Sequence, residues 1–491
     1  MGDSTASPSA AEVSRDPAVR RSYASLGRLA TRWLEVLEED PSWLERSTFD
    51  ALHEEAWNPY PLQSWPLFVG PEKADDLYRG SLGLVRLVRD LPARRFGHDP
   101  ARLASFYHLT DVAVGETILE ELKGNESLSS RADFVDTEDG LKVLELNLGS
   151  PGGFQLSRIG SILLRQPKIQ QFLAAEGVRA TATHSLRVLL RHVASEVLES
   201  RADQEGGEDR RPLVIGILSN EQFAPDLARA YTQHVNEELA KVLAELAPER
   251  RGVAALGLHT SLRERGGEVW LGTRRLDAVV ELGNSNWHAT FRPWKAGKVR
   301  LYNGPVSMIL ADKRNLAFLS EEADGSQQLD DEQRTLVQQF VPWTRQVTAG
   351  YTQYRGERVH LPELLARERE RLVLKPARSG QGTDVFLGPS TDPATWEGVV
   401  RRAVESTEWV AQEMVASRPY LAQLGERGCA RHDVIWGVFT FGPHYGGGFL
   451  RLQPQEGTHR VINAAQGASE GVFFEVEDGE MAGKMGLEAK A

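Results

Sequence analysis

One stretch restricts this chain more than any other: Arg131–Gly153, RADFVDTEDGLKVLELNLGSPGG. Apolar and β-branched residues flank Glu138-Asp139-Gly140, and glycine stands where a three-residue hairpin loop needs a left-handed backbone. That loop predicts the pairs Thr137–Leu141, Val135–Val143 and Asp133–Glu145. Side chains alternate along a strand, so Asp133, Glu145 and Asn147 then leave one face, roughly 5 to 7 Å apart. Two carboxylates and an amide oxygen placed so closely repel one another unless a cation lies among them, and such hard oxygen donors suit Mg2+. The competing reading is a polar hairpin face turned to solvent, since acidic residues on exposed strands are common.

Composition narrows the setting. The 491 residues correspond to about three domains of ordinary size. A hydrophobic content of 41% with 26% charged residues is the profile of a soluble globular protein, and a net charge of −12 argues against a nucleic-acid partner. Cys429, the single cysteine, can make neither an intramolecular disulfide nor a multi-cysteine zinc site, and fits a reducing compartment. Met1–Asp16 has no apolar signal core, and Ala6 breaks the myristoylation pattern. No apolar run approaches the roughly 20 residues of a membrane span. The expectation is a cytoplasmic protein without membrane or nucleic-acid partners.

Residues 1–16 read as a disordered terminus and 17–125 as a helical region, with helices over 18–44, 73–90 and 100–123 and an extended, proline-rich segment at 56–68. The hairpin and helices at 154–175 and 182–201 fill 126–201. The charged run 202–211 reads as a linker opening an α/β unit over 202–310, with strands at 212–220, 253–258 and 277–282. No G-x-G-x-x-G follows its first strand, so a dinucleotide site is unsupported. A lobe over 311–410 has helices at 312–321, 330–339 and 396–406 and strands at 371–375 and 408–415. A second lobe over 411–475 has strands near 433–441, 447–453 and 459–463, ahead of a flexible tail at 476–491.

Further stretches carry chemical potential. In LVLKPARSGQGTDVFLG (372–388) a lysine ends a strand ahead of a glycine loop, so backbone N–H groups and Lys375 can approach the same phosphate oxygens. It is not a Walker A loop, whose lysine follows its glycines. EWVAQEMV (408–415) can present backbone groups to a purine edge, or be merely a strand. FGPHYGGGFLRLQPQEGTHRVINAAQGASEG (441–471) sets Arg451 on a strand and Asn463 at a small-residue loop; a planar guanidinium there can grip phosphate or carboxylate, or stay structural. Asp312-Lys313 opens a helix, where the aspartate also suits an N-cap. There is no G-x-S-x-G elbow, no H-E-x-x-H and no Cys/His metal spacing.

In this order the stretches resemble the ATP-grasp superfamily, and more narrowly its circularly permuted branch, to which glutathionylspermidine synthase is related. The likeness spans about Arg131 to Glu475. It implies an α/β fold of α+β lobes, in permuted order, with an N-terminal helical region and a Rossmann-like layer ahead of the nucleotide lobes. Asp133, Glu145 and Asn147 match the family's metal-binding D…E-x-N hairpin, followed by Pro151-Gly152-Gly153. Arg131 resembles the arginine that meets phosphate or the reacting carboxylate. AGKVRLYNGPVSMILADK makes Lys313 the first nucleotide lysine, while Lys375 with Ser379, Gly380, Gln381 and Gly382 resembles the second lysine and its flap. Gln412-Glu413-Met414 resembles the hinge that meets adenine, and GGGFLRL with VINAAQGA brings Arg451 and Asn463 near the phosphates.

Two departures stand beside the likeness. The family's lysine–aspartate ending is replaced by Ser469-Glu470-Gly471-Val472, and no early cysteine exists to serve an amidase. The resemblance implies an ADP-forming carboxylate–amine ligase using ATP and Mg2+, with Arg131 and Arg451 steadying an acylphosphate. Its partners would be a small-molecule or peptide carboxylate and an amine. A phosphotransferase and a non-catalytic nucleotide-binding scaffold remain as alternatives, and the oligomeric state stays open, a homodimer included.

Overall fold

The computed structural model describes residues 9–44, 60–124, 128–149, 151–205, 211–220, 222–282, 289–325, 327–379, 384–424, 428–456 and 462–477. Its central sheet is antiparallel. In it Ser129–Thr137 and Gly140–Leu148 form the expected hairpin, and Ser129–Thr137 also pairs with the long strand Gly428–Phe441, from Val135↔Ile435 to Ser129↔Phe441. His444–Pro454 and Ser469–Gly471 extend the sheet beyond Gly428–Phe441, and Tyr420–Leu424 pairs with the start of that same strand. The hairpin and the late strands, expected as parts of two units, thus share one sheet.

The hairpin register departs from expectation at the turn and returns to it at the acidic end. Thr137 pairs with Gly140 and Phe134 with Val143, then a bulge leaves Leu144 without a partner, and Asp133 faces Glu145. The bulge lets Val143 and Leu146 both enter the core beside Ala132 and Phe134. It also keeps Glu145 and Asn147 on the opposite face.

The apolar back of the sheet is covered by helices from both halves of the chain. The Pro71–Phe96 helix crosses at Gly80, where a Cβ would lie 3.0 Å from the Phe340 ring and 3.2 Å from that of Phe134. Trp33 stacks on Trp65 at 4.1 Å and meets Phe68 and Phe172, which fixes the N-terminal helices to the same core. Asp136, fully buried on the back face, accepts from Lys73 at 2.7 Å and from the Tyr420 hydroxyl at 2.5 Å.

A second sheet holds four parallel strands in the order Arg300–Tyr302, Ala278–Glu281, Leu213–Ser219 and Gly252–Leu258. The helices Ser185–Glu205 and Pro225–Leu246 accompany it. A third, antiparallel sheet runs Thr344–Gln346, Trp409–Glu413, Leu372–Pro376 and Phe386–Leu387, over a core of its own with Leu364, Leu365, Trp396 and Val399. The chain is therefore a mixed α/β protein with several sheets. Among the described residues no helix is long and apolar enough to cross a membrane.

Several expected elements are corrected. The 1–16 terminus is not disordered throughout: Ala10–Ser14 is helical, capped reciprocally by Ser9 and Glu12. The 18–44 helix breaks at Gly27 (φ 118°), and the 100–123 helix breaks around His108 (φ 48°). The 154–175 helix breaks ahead of Pro167, because proline disfavours helical backbone at the preceding residue. Of the strand expected at 459–463, residues 462–463 are not strand and 459–461 lie outside the described residues. Val476–Glu477 is no loose tail, since Phe473–Glu477 is sandwiched between Leu67–Val69 and Arg179–Thr181. The alternating FFEVE pattern buries Phe474 against Phe68.

Candidate active site

Asp133 and Arg131 leave the same face of their strand, as do Glu145 and Asn147 of the next. Arg451, two strands away, shares that face through the register Arg451↔Ile435↔Val135. Room for the two arginines comes from Gly437, opposite Asp133: a Cβ there would sit 2.8 Å from Phe449 and 3.1 Å from Arg131 Cδ. Both guanidinium groups lie over the Phe449 ring, at 5.5 Å for Arg131 and 6.0 Å for Arg451.

Asp133 is the hub. Arg131 Nε donates to its Oδ1 at 2.7 Å, while Arg131 Nη2, Arg451 Nη2 and Asn147 Nδ2 donate to Oδ2 at 3.1, 2.7 and 3.0 Å. Burial would raise the Asp133 carboxyl, but the two arginines outweigh it and hold the group at about 2. Arg131 Nη1 also donates to the Gly152 carbonyl at 2.5 Å, which explains the Pro-Gly-Gly run after the hairpin. Burial opposes the charge of Arg131, yet Asp133, Glu145 and Glu470 raise its pKa overall.

The second cluster lies where the 344–413 sheet faces the hairpin. Lys313 Nζ is 3.2 Å from Glu145 and donates to the Ser379 carbonyl at 2.5 Å. Its backbone N–H is held by the Ala377 carbonyl, and Asp312, one residue ahead of the cap position that Lys313 itself occupies, accepts the Arg314 N–H. Lys375 Nζ donates to Gln412 Oε1 at 2.7 Å and to the Leu144 carbonyl, freed by the bulge, at 3.4 Å. Gln412 is aimed by Thr344, whose hydroxyl accepts from its Nε2. Burial lowers the Lys375 ammonium to about 8; Glu145 opposes that shift and Lys313 reinforces it.

The structure thus brings together Arg131, Asp133, Glu145, Asn147, Lys313, Lys375, Ser379, Gln412 and Arg451. Glu413 and Met414 do not present the expected adenine hinge. Their N–H groups already donate to the Trp343 and Arg371 carbonyls, and the Glu413 carboxylate binds Arg355 at 2.6 Å. The Asn463 carbonyl closes a turn onto Gln466 and Ala468. Gly380, Gln381 and Gly382 lie outside the described residues.

Asp133 differs from its expected part as a metal ligand. Four cationic side chains stand among the carboxylates, so arginines and lysines supply the charge that the hairpin alone required from a metal. Among the described residues no three His, Cys, Asp or Glu side chains gather as a metal cage. Glu145, its side chain 32% exposed, and the amide oxygen of Asn147 still fit Mg2+ as hard donors that leave most of its shell to water and phosphate. Asp133 would join only by releasing an arginine.

Sequence reading missed Gly437, Phe449, Thr344 and the Leu144 carbonyl. Only the last left a local signal, the adjacent apolar pair Val143-Leu144 inside an alternating strand.

Neither a family model nor a curated protein matches the chain. Among solved structures, one from Methylobacillus flagellatus KT described as a "Putative gamma-glutamylcysteine synthetase" is similar over 80% of this chain and 87% of its own, at 11% identity and a TM-score of 0.39. No activity is read from a likeness at that level.

Proposed function

We propose that this protein is an ATP-dependent, ADP-forming ligase that joins a carboxylate to an amine through an acylphosphate. The observation that carries this reading is the meeting of Lys313 and Lys375 with Glu145 and Leu144 of the hairpin, beside the Arg131–Asp133–Arg451 group. Four cations against Asp133, Glu145 and the neighbouring Glu470 leave that cleft with a net positive charge, which suits a triphosphate.

In this reading Lys313 and Lys375 hold phosphate oxygens, and Gln412 positions Lys375. Glu145 and Asn147 would hold Mg2+, which when bound neutralises phosphate charge. A substrate carboxylate oxygen attacks the γ-phosphorus and ADP departs. An amine nitrogen then attacks the acyl carbon, loses its proton and expels phosphate. Arg131 and Arg451, already desolvated and oriented by Asp133, steady the acylphosphate and the tetrahedral oxyanion.

The test is ADP and phosphate release from Mg2+-ATP over pools of amino acids, peptides and polyamines. Glu145→Gln and Lys375→Ala should each lower substrate-dependent ADP release on the order of 10²–10³-fold with an unchanged circular dichroism spectrum. Near-normal release in either variant sinks the site assignment. A phosphorylated product stable to added amine would mean a phosphotransferase, and tight ATP binding without turnover a scaffold.

A further inference from the structure

Away from that cleft, a pocket of about 70 Å3 opens at the amino ends of the parallel strands, between the Ser185–Glu205 helix and the Gly297–Arg300 segment. Five basic side chains line it, Arg201, Arg211, Arg275, Lys298 and Arg300, against the acidic Glu268 and Asp277. The chain as a whole has the opposite balance, with 69 acidic residues to 57 basic. The two carboxylates are committed. Asp277 binds Arg201 at 2.7 Å through one oxygen and accepts the Val214 N–H at 2.8 Å through the other, and Glu268 binds Arg275 at 2.6 Å. Arg201 also donates to the Arg211 carbonyl at 2.8 Å, so that wall is braced. No carboxylate among the described residues pairs with Lys298 or Arg300. Like charges converging on a concave surface repel one another until an anion enters.

We propose that this pocket is a binding site for a phosphate-type oxyanion, held by Lys298 and Arg300 with Arg275 alongside. Its volume accommodates a handful of water-sized groups, which is the size of one tetrahedral oxyanion rather than of a nucleotide. Guanidinium and ammonium groups are the donors such an anion takes. Parallel sheets bind substrates beyond the carboxyl ends of their strands, so a pocket at the amino ends is separate from a substrate crevice. The ligand is either free inorganic phosphate or a phosphoryl group on a small molecule.

Calorimetric titration of the full-length protein with inorganic phosphate, and in parallel with glycerol 3-phosphate, tests this at constant ionic strength. Lys298→Glu, at an exposed position that leaves folding intact, and Arg300→Gln should each weaken phosphate binding tenfold or more. Arg367→Ala, at an exposed position on the Leu361–Arg367 helix, should change it less than twofold. Tighter binding of the ester identifies a phosphorylated small molecule, and tighter binding of the free ion identifies phosphate itself. Equal affinity in wild type and Lys298→Glu, or binding lost only in Lys375→Ala, in the other cleft, overturns the site.

Discussion

At Asp133 a carboxyl with 6% side-chain exposure accepts four hydrogen bonds from three residues, two of them arginines. Its pKa falls from 3.8 to about 2, so the sign is that of a depressed acid: the contribution is complete above about pH 4 and is lost as pH falls through 2. Integrated over that window it is worth about 2 kcal/mol. Asp133→Asn deprives two largely buried guanidinium groups of the carboxylate they are bonded to and should cost about 3 kcal/mol at pH 7. Urea midpoints of both proteins should converge as pH is lowered from 5 to 2; a gap independent of pH would refute the pairing as its cause. Lys375 behaves oppositely, because burial places it at about 8 and its charge disappears above that pH. Nucleotide affinity, followed by fluorescence titration, should therefore weaken between pH 7 and 9, and Lys375→Arg should flatten the profile, since arginine stays charged throughout.

The hairpin shows which parts of a site a sequence can disclose. Two-residue alternation was enough to put Asp133, Glu145 and Asn147 on one face, because a face inversion would expose Phe134 and Leu146. The bulge was written in Val143-Leu144 but is invisible to a reading that counts outward from the turn. The arginine pairing could not be read locally, since Arg451 lies 318 residues from Asp133 and reaches it only through Gly437 and the intervening strand. Nor could Glu413 and Met414 be told apart from a hinge, because the fate of their N–H groups depends on Trp343 and Arg371. The bulge itself is testable. Deleting Leu144 makes Phe134↔Val143 and Asp133↔Glu145 consecutive pairs, with every side chain on its present face. Unfolding should stay cooperative by calorimetry while nucleotide affinity drops roughly tenfold, the loss of one hydrogen bond from a charged donor. An unchanged affinity would mean that the Leu144 carbonyl does nothing for Lys375.

Across the whole molecule, the N-terminal region is part of the sheet assembly rather than an appendage. Gln63 ties Ser469 to Gln423, with bonds of 2.8 Å to each, and Leu67–Val69 runs parallel to Phe473–Glu475. The 344–413 sheet, by contrast, has a core of its own. In native-state hydrogen exchange, the amides of Leu372–Lys375 and Trp409–Glu413 should open together, at lower free energy than those of Ile435–Phe441. A single opening energy for both groups would show that the lobe has no independence. The long separation between paired strands also governs how the protein is made. Nearly 300 residues separate the hairpin from its partner Gly428–Phe441, and at roughly 5 to 20 residues per second a ribosome needs on the order of 15 to 60 s to supply them. During that interval the hairpin can form but cannot bury Phe134 against Trp436. The nascent chain carries an apolar sheet edge without a partner for most of its synthesis, and brings Arg451 to Asp133 only after its last strands emerge.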